Sequence, residues 1–491
     1  MTTTTPDPAG AGSSRLPPYS LVKEPSLQFA ANRSDARDIH PLRGLDRYGP
    51  YTIATLAQYT PAIRIATVGP AFGQPFVKEL LNSLVRTHKP SDRPDYVPEY
   101  KGFESIFRLK LQRAEPEAAH ITWPGSLDGL GSAGEPHERV SEAIAQAVAQ
   151  LATVRSGFDV AVVHFPDSWG PGLRRPGFSA HDQLKGVAAL AGIPTQVVND
   201  RVFSFELKAS RSWRLGIALY VKAGGVPWKL APLSGVPDAT AYIGLAYALR
   251  GDPKEARFVT CCSQVFDADG GGMQFVAYDA NDPMEDTDQA RQNPYLSRSD
   301  MRAVLARSMR TYQSRNGGNL PHRVVLHKTT PFRDEELAGA ADALSAVKEI
   351  ECLEITTSVA WRAVWLQQGR SDGGPRSEPH PWPVPRGTLV HVSGTSALLW
   401  GAGNTPGVST RGNFYQGGKS IPRPVLLTRH AGSGPLELAG LETMALTKMD
   451  WNNDALYDPV PVTLQYSKVL ARTIANVPSL PRAEYPYRLF M

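Results

Sequence analysis

His181 and Lys185 stand four residues apart in "SAHDQLKGVAALAGIPTQVVNDR", residues 179–201. Side chains at i and i+4 share one face of a helix. Ser179 or Asp182 can cap that helix and Gly192 can stop it, so the pair lies near its start. A helix N-terminus offers free N–H groups and a partial positive charge, which suit a phosphate. Gln196 follows at the start of the next strand, and Lys222 precedes a Gly-Gly turn in "IALYVKAGGVPWKL", residues 217–230. Glycine there permits close backbone approach. Together an imidazole, two ammonium groups and an amide make a compact oxyanion clamp. Taken alone, a His–Lys pair is more often a solvated helix face. Arg201 and Lys208 are further candidates for phosphate contact, and a solvated loop explains them equally well.

These residues need a scaffold, and the first half of the chain supplies one. "AIRIATVGP" (62–70), "AAHITWPG" (118–125), "DVAVVHFPD" (159–167) and "PTQVVND" (194–200) read as strands. Between them run helical patterns: "QPFVKELLNSL" (74–84), then Val140, Ile144, Val148 and Leu151 at helical spacing. Alternating strand and helix predicts a mostly parallel sheet covered on both faces. Such sheets take ligands at the carboxyl ends of their strands. "GPAFGQP" (69–75) lacks the Gly-Lys-Ser/Thr ending of a phosphate loop, so it reads as a strand-to-helix turn.

The second half opens near Val236 with the strand "ATAYIGLAYAL", followed by a hairpin pattern over 257–280 around a Gly-rich turn. Asp267 and Asp269 sit at that turn without the other ligands of a calcium loop. Ser299 is the predicted cap of a helix whose Met301, Val304, Leu305, Met309 and Tyr312 share one face. Arg302, Arg307 and Arg310 lie on its other side and read first as a solvated face. Strands follow at 321–332, in "GTLVHVSGTSALLWG" and in "PRPVLLTRHAGSG"; residues 370–387, rich in Pro and Gly, read as a long surface loop. A helix closes 460–477. This order fits an RNase H-like mixed sheet.

Composition narrows the class. The chain has 491 residues, 42% of them hydrophobic, and a net charge of +5. That length supports two large domains, and that charge permits nucleic-acid binding without arguing for it. Three cysteines, two of them the adjacent Cys261 and Cys262, show no metal-like spacing and fit a reducing cytoplasm. Residues 1–19, rich in Thr, Pro, Gly and Ser, read as a disordered leader with no signal-peptide pattern. No apolar run is long enough to span a bilayer, so no membrane partner is expected.

The series His181, Lys185, Gln196, Lys222 and "GGVPW" resembles the guide-end pocket of the MID domain of Argonaute proteins. "DARDIHPLRGLDRYGPY" (35–51), "MDWNNDALYDPVPVTLQYSKVLA" (449–471) and "YPYRLFM" at the end resemble further segments of that family. The resemblance runs over roughly residues 20–491. It implies a Rossmann-like MID domain with its preceding segment over 20–235 and an RNase H-like PIWI domain over 236–491. It also implies that the four residues hold a guide 5′-phosphate, and that the carboxylate of Met491 shares Mg²⁺ with that phosphate.

The PIWI half departs from the catalytic pattern. An RNase H-type site gathers carboxylates around two metals. By the resemblance, its first, third and fourth acids fall at Ala246, Thr329 and Lys468. No slicing is therefore expected. The short prokaryotic members of the family share that loss and lack the PAZ and N domains. The resemblance to them implies a 5′-phosphorylated guide RNA and a single-stranded DNA target. It also implies a heterodimer with an APAZ-containing effector of TIR, sirtuin-like or nuclease type, acting in prokaryotic immunity. Two other readings stay open: an active nuclease with relocated acids such as Asp267, Asp279 and Asp450, and an α/β enzyme for a small phosphorylated ligand.

Overall fold

The computed structural model describes residues 18–491 apart from 54–55, 57–60, 92, 129–134, 204–208, 251–257, 268–269, 281–282, 285–294, 372–373, 478 and 482. Two sheets organise it. The smaller has five strands, all parallel where they pair: Ala62–Gly69, Lys110–Arg113, His120–Thr122, Val160–His164 and Thr195–Val198. Thr195–Val198 forms one edge, Val160–His164 lies next, and Ala62–Gly69 pairs with both remaining strands. All five residues of Val160–His164 are buried, as a strand covered on two faces requires. Lys110–Arg113 escapes the sequence reading because its residues are mostly polar and exposed.

Helices Gln74–Val85, Pro136–Thr153, Ala180–Leu190 and Ala209–Lys222 surround this sheet. Val140, Ile144, Val148 and Leu151 all point into its core. "GPAFGQP" is the turn expected, with one short helical turn, Ala71–Gly73, before the helix.

The larger sheet has ten strands among the described residues. Its centre is three parallel strands, Thr240–Arg250, Arg323–Lys328 and Glu349–Thr356. Antiparallel strands extend it on both sides, giving the mixed sheet that the sequence predicts. Period-two alternation decides what each face meets. Ala241, Ile243 and Leu245 pack with Met301, Val304 and Leu305 of the helix Arg298–Arg315. Tyr242, Ala246 and Ala248 face the other way, into the core that includes the helix Val462–Asn476. Cys262 and Cys352 are buried and form no disulfide among the described residues.

Three sequence readings need correction. Tyr19, placed in the leader, begins the strand Tyr19–Leu21, which pairs with Thr388–His391 in the larger sheet. The cap of the Arg298–Arg315 helix is Ser297, whose side chain accepts from the Asp300 amide; Ser299 lies inside the first turn. The long loop over 370–387 is partly a hairpin, because Gly374–Pro379 pairs antiparallel with Leu366–Ser371. Residues 1–17 of the leader, with Lys208 and Asp269, lie outside the described residues. No helix among the described residues is long and apolar enough to cross a membrane.

Candidate functional site

The Ala180–Leu190 helix starts as its sequence predicts. Ser179 Oγ accepts from the Asp182 amide, and Gly192 takes a left-handed φ of +64° just past the end. His181 and Lys185 project from this helix toward the edge strand Thr195–Val198, which carries Gln196. Lys222 ends the Ala209–Lys222 helix and approaches from another side. His181, Lys185, Gln196, Lys222 and Met491 all line one cavity of about 390 Å³. Residues far apart in sequence thus meet at the junction of the two sheets.

The electrostatics of this cavity are unusual. Lys185 is 2% exposed and Lys222 is 1% exposed. Lys185 Nζ donates to Thr195 O at 2.7 Å and to the main-chain oxygen of Met491. Among the described residues, Lys222 Nζ has only Asn452 Oδ1, at 3.5 Å. Burial holds the Lys185 ammonium well below its usual range, and neighbouring Lys222 adds to that. Burial likewise lowers Lys222 to about 7, against the attraction of Asp450. Lys185 thus meets the terminal carboxylate of Met491, whereas Lys222 has no carboxylate within ion-pair distance among the described residues. A buried ammonium without a counter-ion costs several kcal/mol unless an anion joins it.

His181 sits at the rim, half exposed, with Nδ1 3.2 Å from Asp182 Oδ1. Asp182 is buried and binds the C-terminal helix through Arg472 Nε at 3.2 Å and Asn476 Nδ2 at 2.7 Å. Arg472 and Gln465, on that helix, also line the cavity. Sequence reasoning missed both, although their i, i+7 spacing places them on one helical face. Asp450, weighed as a relocated acid, lines the cavity with its carboxylate fully engaged. It accepts from Tyr466 OH at 2.6 Å, Asn452 N at 2.8 Å, Asn453 Nδ2 at 2.7 Å and Gln465 Nε2 at 2.9 Å.

Ala246, Thr329 and Lys468 come to one end of the larger sheet. Gly244 pairs with His327 across parallel strands, so Ala246 and Thr329 each lie two residues further along the neighbouring strands. Ser467 Oγ donates to Gly244 O at 2.9 Å, which brings Lys468, exposed on the same helix, to this end of the sheet. The nearby carboxylate of Glu336 is occupied: it accepts from Lys328 Nζ at 2.6 and 2.5 Å and from Tyr247 OH at 3.0 Å. Asp267 lines a different cavity with Asp238 and Tyr312. Among the described residues, the only His/Cys/Asp/Glu group close enough to hold a metal is Glu135, His137 and Glu138. Asp267, Asp279 and Asp450 are therefore not gathered into one.

The remaining candidates lie outside the cavity. Arg201 is exposed, 3.9 Å from Asp167. Arg302 and Arg310 are exposed on their helix, and Arg307 donates to Ala277 O at 3.3 Å. Trp228, beside the Gly-Gly turn, is buried and donates to Lys448 O at 3.0 Å.

A parallel-sheet unit and a large mixed sheet, with a cationic cavity where they meet, define an α/β protein of MID–PIWI architecture. The solved structures bear that out: the fold is Argonaute-like. The chain is similar to Clostridium butyricum Argonaute bound to a guide DNA (5′ deoxycytidine) and a 19-mer target DNA. The TM-score is 0.65 at 14% identity, over 96% of this chain and 54% of that one. It is also similar to Aa-Ago with externally bound siRNA, with a TM-score of 0.60 at 14% identity, over 96% of this chain and 56% of that one. For A. aeolicus Argonaute the TM-score is 0.56 at 14% identity, over 95% and 55%. The chain spans a little over half the length of these proteins. No family model and no curated protein matches it.

Proposed function

We propose that this chain binds the 5′-phosphate of a guide strand and uses that strand to recognise a complementary one. The observation that carries this reading is the buried Lys222 ammonium, which faces the cavity beside the buried Lys185 with no carboxylate at ion-pair distance among the described residues. A phosphate would supply the missing charge, and His181, Gln196 and Arg472 stand where they can add donors. The fold shared with an Argonaute solved with guide and target DNA supports the same reading. A small phosphorylated metabolite has the same phosphate chemistry but no use for the rest of that fold.

Mg²⁺ suits the site. Gln196 Oε1 and Gln465 Oε1 are buried there without a hydrogen-bond partner, and the Met491 oxygen faces the same space. Hard oxygen ligands are what Mg²⁺ takes, usually few from protein and the rest from phosphate and water. These three oxygens would hold the ion, which would neutralise charge on the phosphate. Lys185, bonded to both Thr195 and Met491, keeps the Met491 oxygen in place.

The finer reading is a catalytically inactive sensor. Its guide is 5′-phosphorylated RNA and its target single-stranded DNA from an invading plasmid or phage. Target recognition activates an APAZ-containing effector of TIR, sirtuin-like or nuclease type, held as a heterodimer in the cytoplasm. Ala246, Thr329 and Lys468 in place of acids support the loss of slicing. The purified chain is expected to retain 5′-phosphorylated RNA at least tenfold better than the 5′-hydroxyl form. It should leave a matched DNA target uncut with Mg²⁺. Equal retention of the two RNAs would refute the pocket, and guide-directed cleavage would refute the inactive reading.

The depressed Lys222 pKa adds a pH signature. Near pH 7 about half of these ammonium groups are neutral in the free chain, and an anion favours the charged form. Binding should therefore take up protons, and affinity should fall above pH 7 by up to about tenfold per unit. Calorimetry in two buffers of different ionisation enthalpy reads this directly. Identical heats at pH 7.5 would mean that Lys222 does not titrate with binding.

A further inference from the structure

The helix that ends in Lys222 carries a second cationic feature. Arg214 lies eight residues earlier, about 12 Å back along the axis at 1.5 Å per residue. Its Nη2 meets Asp454 Oδ1 at 3.0 Å, and Arg93 Nη2 grips Asp454 Oδ2. The Asp454 side chain is 1% exposed, whereas those of Arg214 and Arg93 are 58% and 41% exposed. One buried carboxylate thus holds two guanidinium groups whose outer faces reach solvent, leaving one net positive charge at the surface. The same short segment serves both features, since Asn452 touches Lys222 and Asp454, two residues on, holds Arg214.

Arg93 is also fixed from behind. Its backbone has φ +51°, a left-handed conformation uncommon outside glycine and, when kept, a mark of a constrained position. Its guanidinium carbon lies 5.7 Å from the centre of the Tyr96 ring, and Tyr96 OH donates to Asp454 O at 2.8 Å. A plain surface ion pair needs neither a buried acid nor a strained backbone. The planar, many-donor guanidinium favours phosphate oxygens over a point contact.

We infer that Arg93 and Arg214, oriented by Asp454, form a second phosphate subsite for the strand whose 5′ end occupies the Lys185–Lys222 cavity. This rests on the guide-binding reading. The offset of about 12 Å along the helix places the two arginines within a few phosphates of the 5′ end of one strand. Asp454 is a positioning residue: it touches no ligand and sets the two arginines.

The test compares a 5′-phosphorylated dinucleotide with a 5′-phosphorylated 20-nucleotide RNA, over a salt series. Arg93→Ala with Arg214→Ala should weaken the long RNA by roughly tenfold or more and leave the dinucleotide unchanged. The slope of log affinity against log salt should shrink by about 1.4, as two lost contacts to a single strand predict. Asp454→Asn removes a negative charge, so bulk electrostatics would tighten RNA binding. The positioning role requires it to weaken, with folding checked by circular dichroism. Removing both arginines leaves the buried Asp454 carboxylate unpaired, so folding of the double variant is checked in the same way, and the single Arg214→Ala variant, which keeps Asp454 paired with Arg93, keeps the test valid if either unfolds. An unchanged affinity and slope for the long RNA would overturn the subsite and leave the cavity reading standing. Long-RNA binding that ignores the 5′-phosphate in the wild type would instead overturn the cavity reading and, with it, this subsite's register.

Discussion

Lys222→Met is expected to raise the stability of the ligand-free chain and to abolish retention of 5′-phosphorylated RNA. The two effects have opposite signs and one origin. Lys222 is buried beside another buried ammonium, with one long contact to Asn452 and no ion pair among the described residues. Its pKa falls from 10.5 to about 7 on folding. The unfolded chain therefore binds more protons than the folded one between those values, so stability rises with pH across that window. The full rise is roughly 5 kcal/mol at most, at about 1.4 kcal/mol per unit. Below pH 7 the whole penalty is present. Met fills similar space without charge, and replacing buried charges by apolar groups often gains about 1–4 kcal/mol. Urea unfolding at pH 7 and pH 10 should show the variant more stable at pH 7 and the gap closing at pH 10. Binding should fail because the cavity has lost half of its buried positive charge. Lys185→Ala combined with Lys222→Ala should cost at least a hundredfold in affinity. A lower midpoint for Lys222→Met at pH 7 would mean that the ammonium has a counter-charge in the free chain, and the case for an anion site would fall with it.

What the sequence revealed and what it hid follow from the range of each interaction. His181 and Lys185 were legible because i, i+4 spacing is a local rule, and Ser179 and Gly192 mark the helix ends by side-chain and backbone chemistry. The Thr240–Arg250 and Val160–His164 strands were legible because continuous apolar runs need burial on both faces. Lys110–Arg113 was not, since an edge strand with exposed charged residues has no hydrophobic pattern. The hairpin over Leu366–Pro379 was hidden by its Pro and Gly content. Gln465, Arg472 and Asp454 were missed for another reason: their roles depend on partners hundreds of residues away. Asp182 with Arg472, and Arg214 with Asp454, exist only once the last helix and its preceding segment dock on the first half. Asp450 was noticed as an acid. Its engagement by four donors could be seen only after folding.

That docking is open to a direct test at Gly244. A Cβ at this position would meet Thr463 O at 2.0 Å and Thr463 C at 2.5 Å, both backbone atoms at the start of the C-terminal helix. No rotamer change relieves such a contact, so the helix Val462–Asn476 must shift by about an ångström or more. Overpacking of this kind costs about 1–3 kcal/mol, occasionally more. The functional loss should be larger than the stability loss suggests. The same helix brings Gln465, Tyr466 and Arg472 to the cavity, and Tyr466 OH anchors Asp450 at 2.6 Å. Arg472 and Asn476 also brace Asp182, on the helix that carries Lys185. A shift of one element therefore disturbs three sides of the cavity together. Gly244→Ala is expected to remain folded, to lose about 3 kcal/mol of stability and to bind 5′-phosphorylated RNA at least tenfold more weakly. Ser467→Ala is the control: it deletes the hydroxyl that donates to Gly244 O and leaves the approach of the two backbones open. That variant should lose only about 1 kcal/mol, the usual worth of one hydrogen bond, and keep its affinity. Equal loss of binding in both variants would assign the effect to the hydrogen bond. Loss in Gly244→Ala alone would assign it to the seat of the helix, and so make the close approach of these two backbones a requirement for binding.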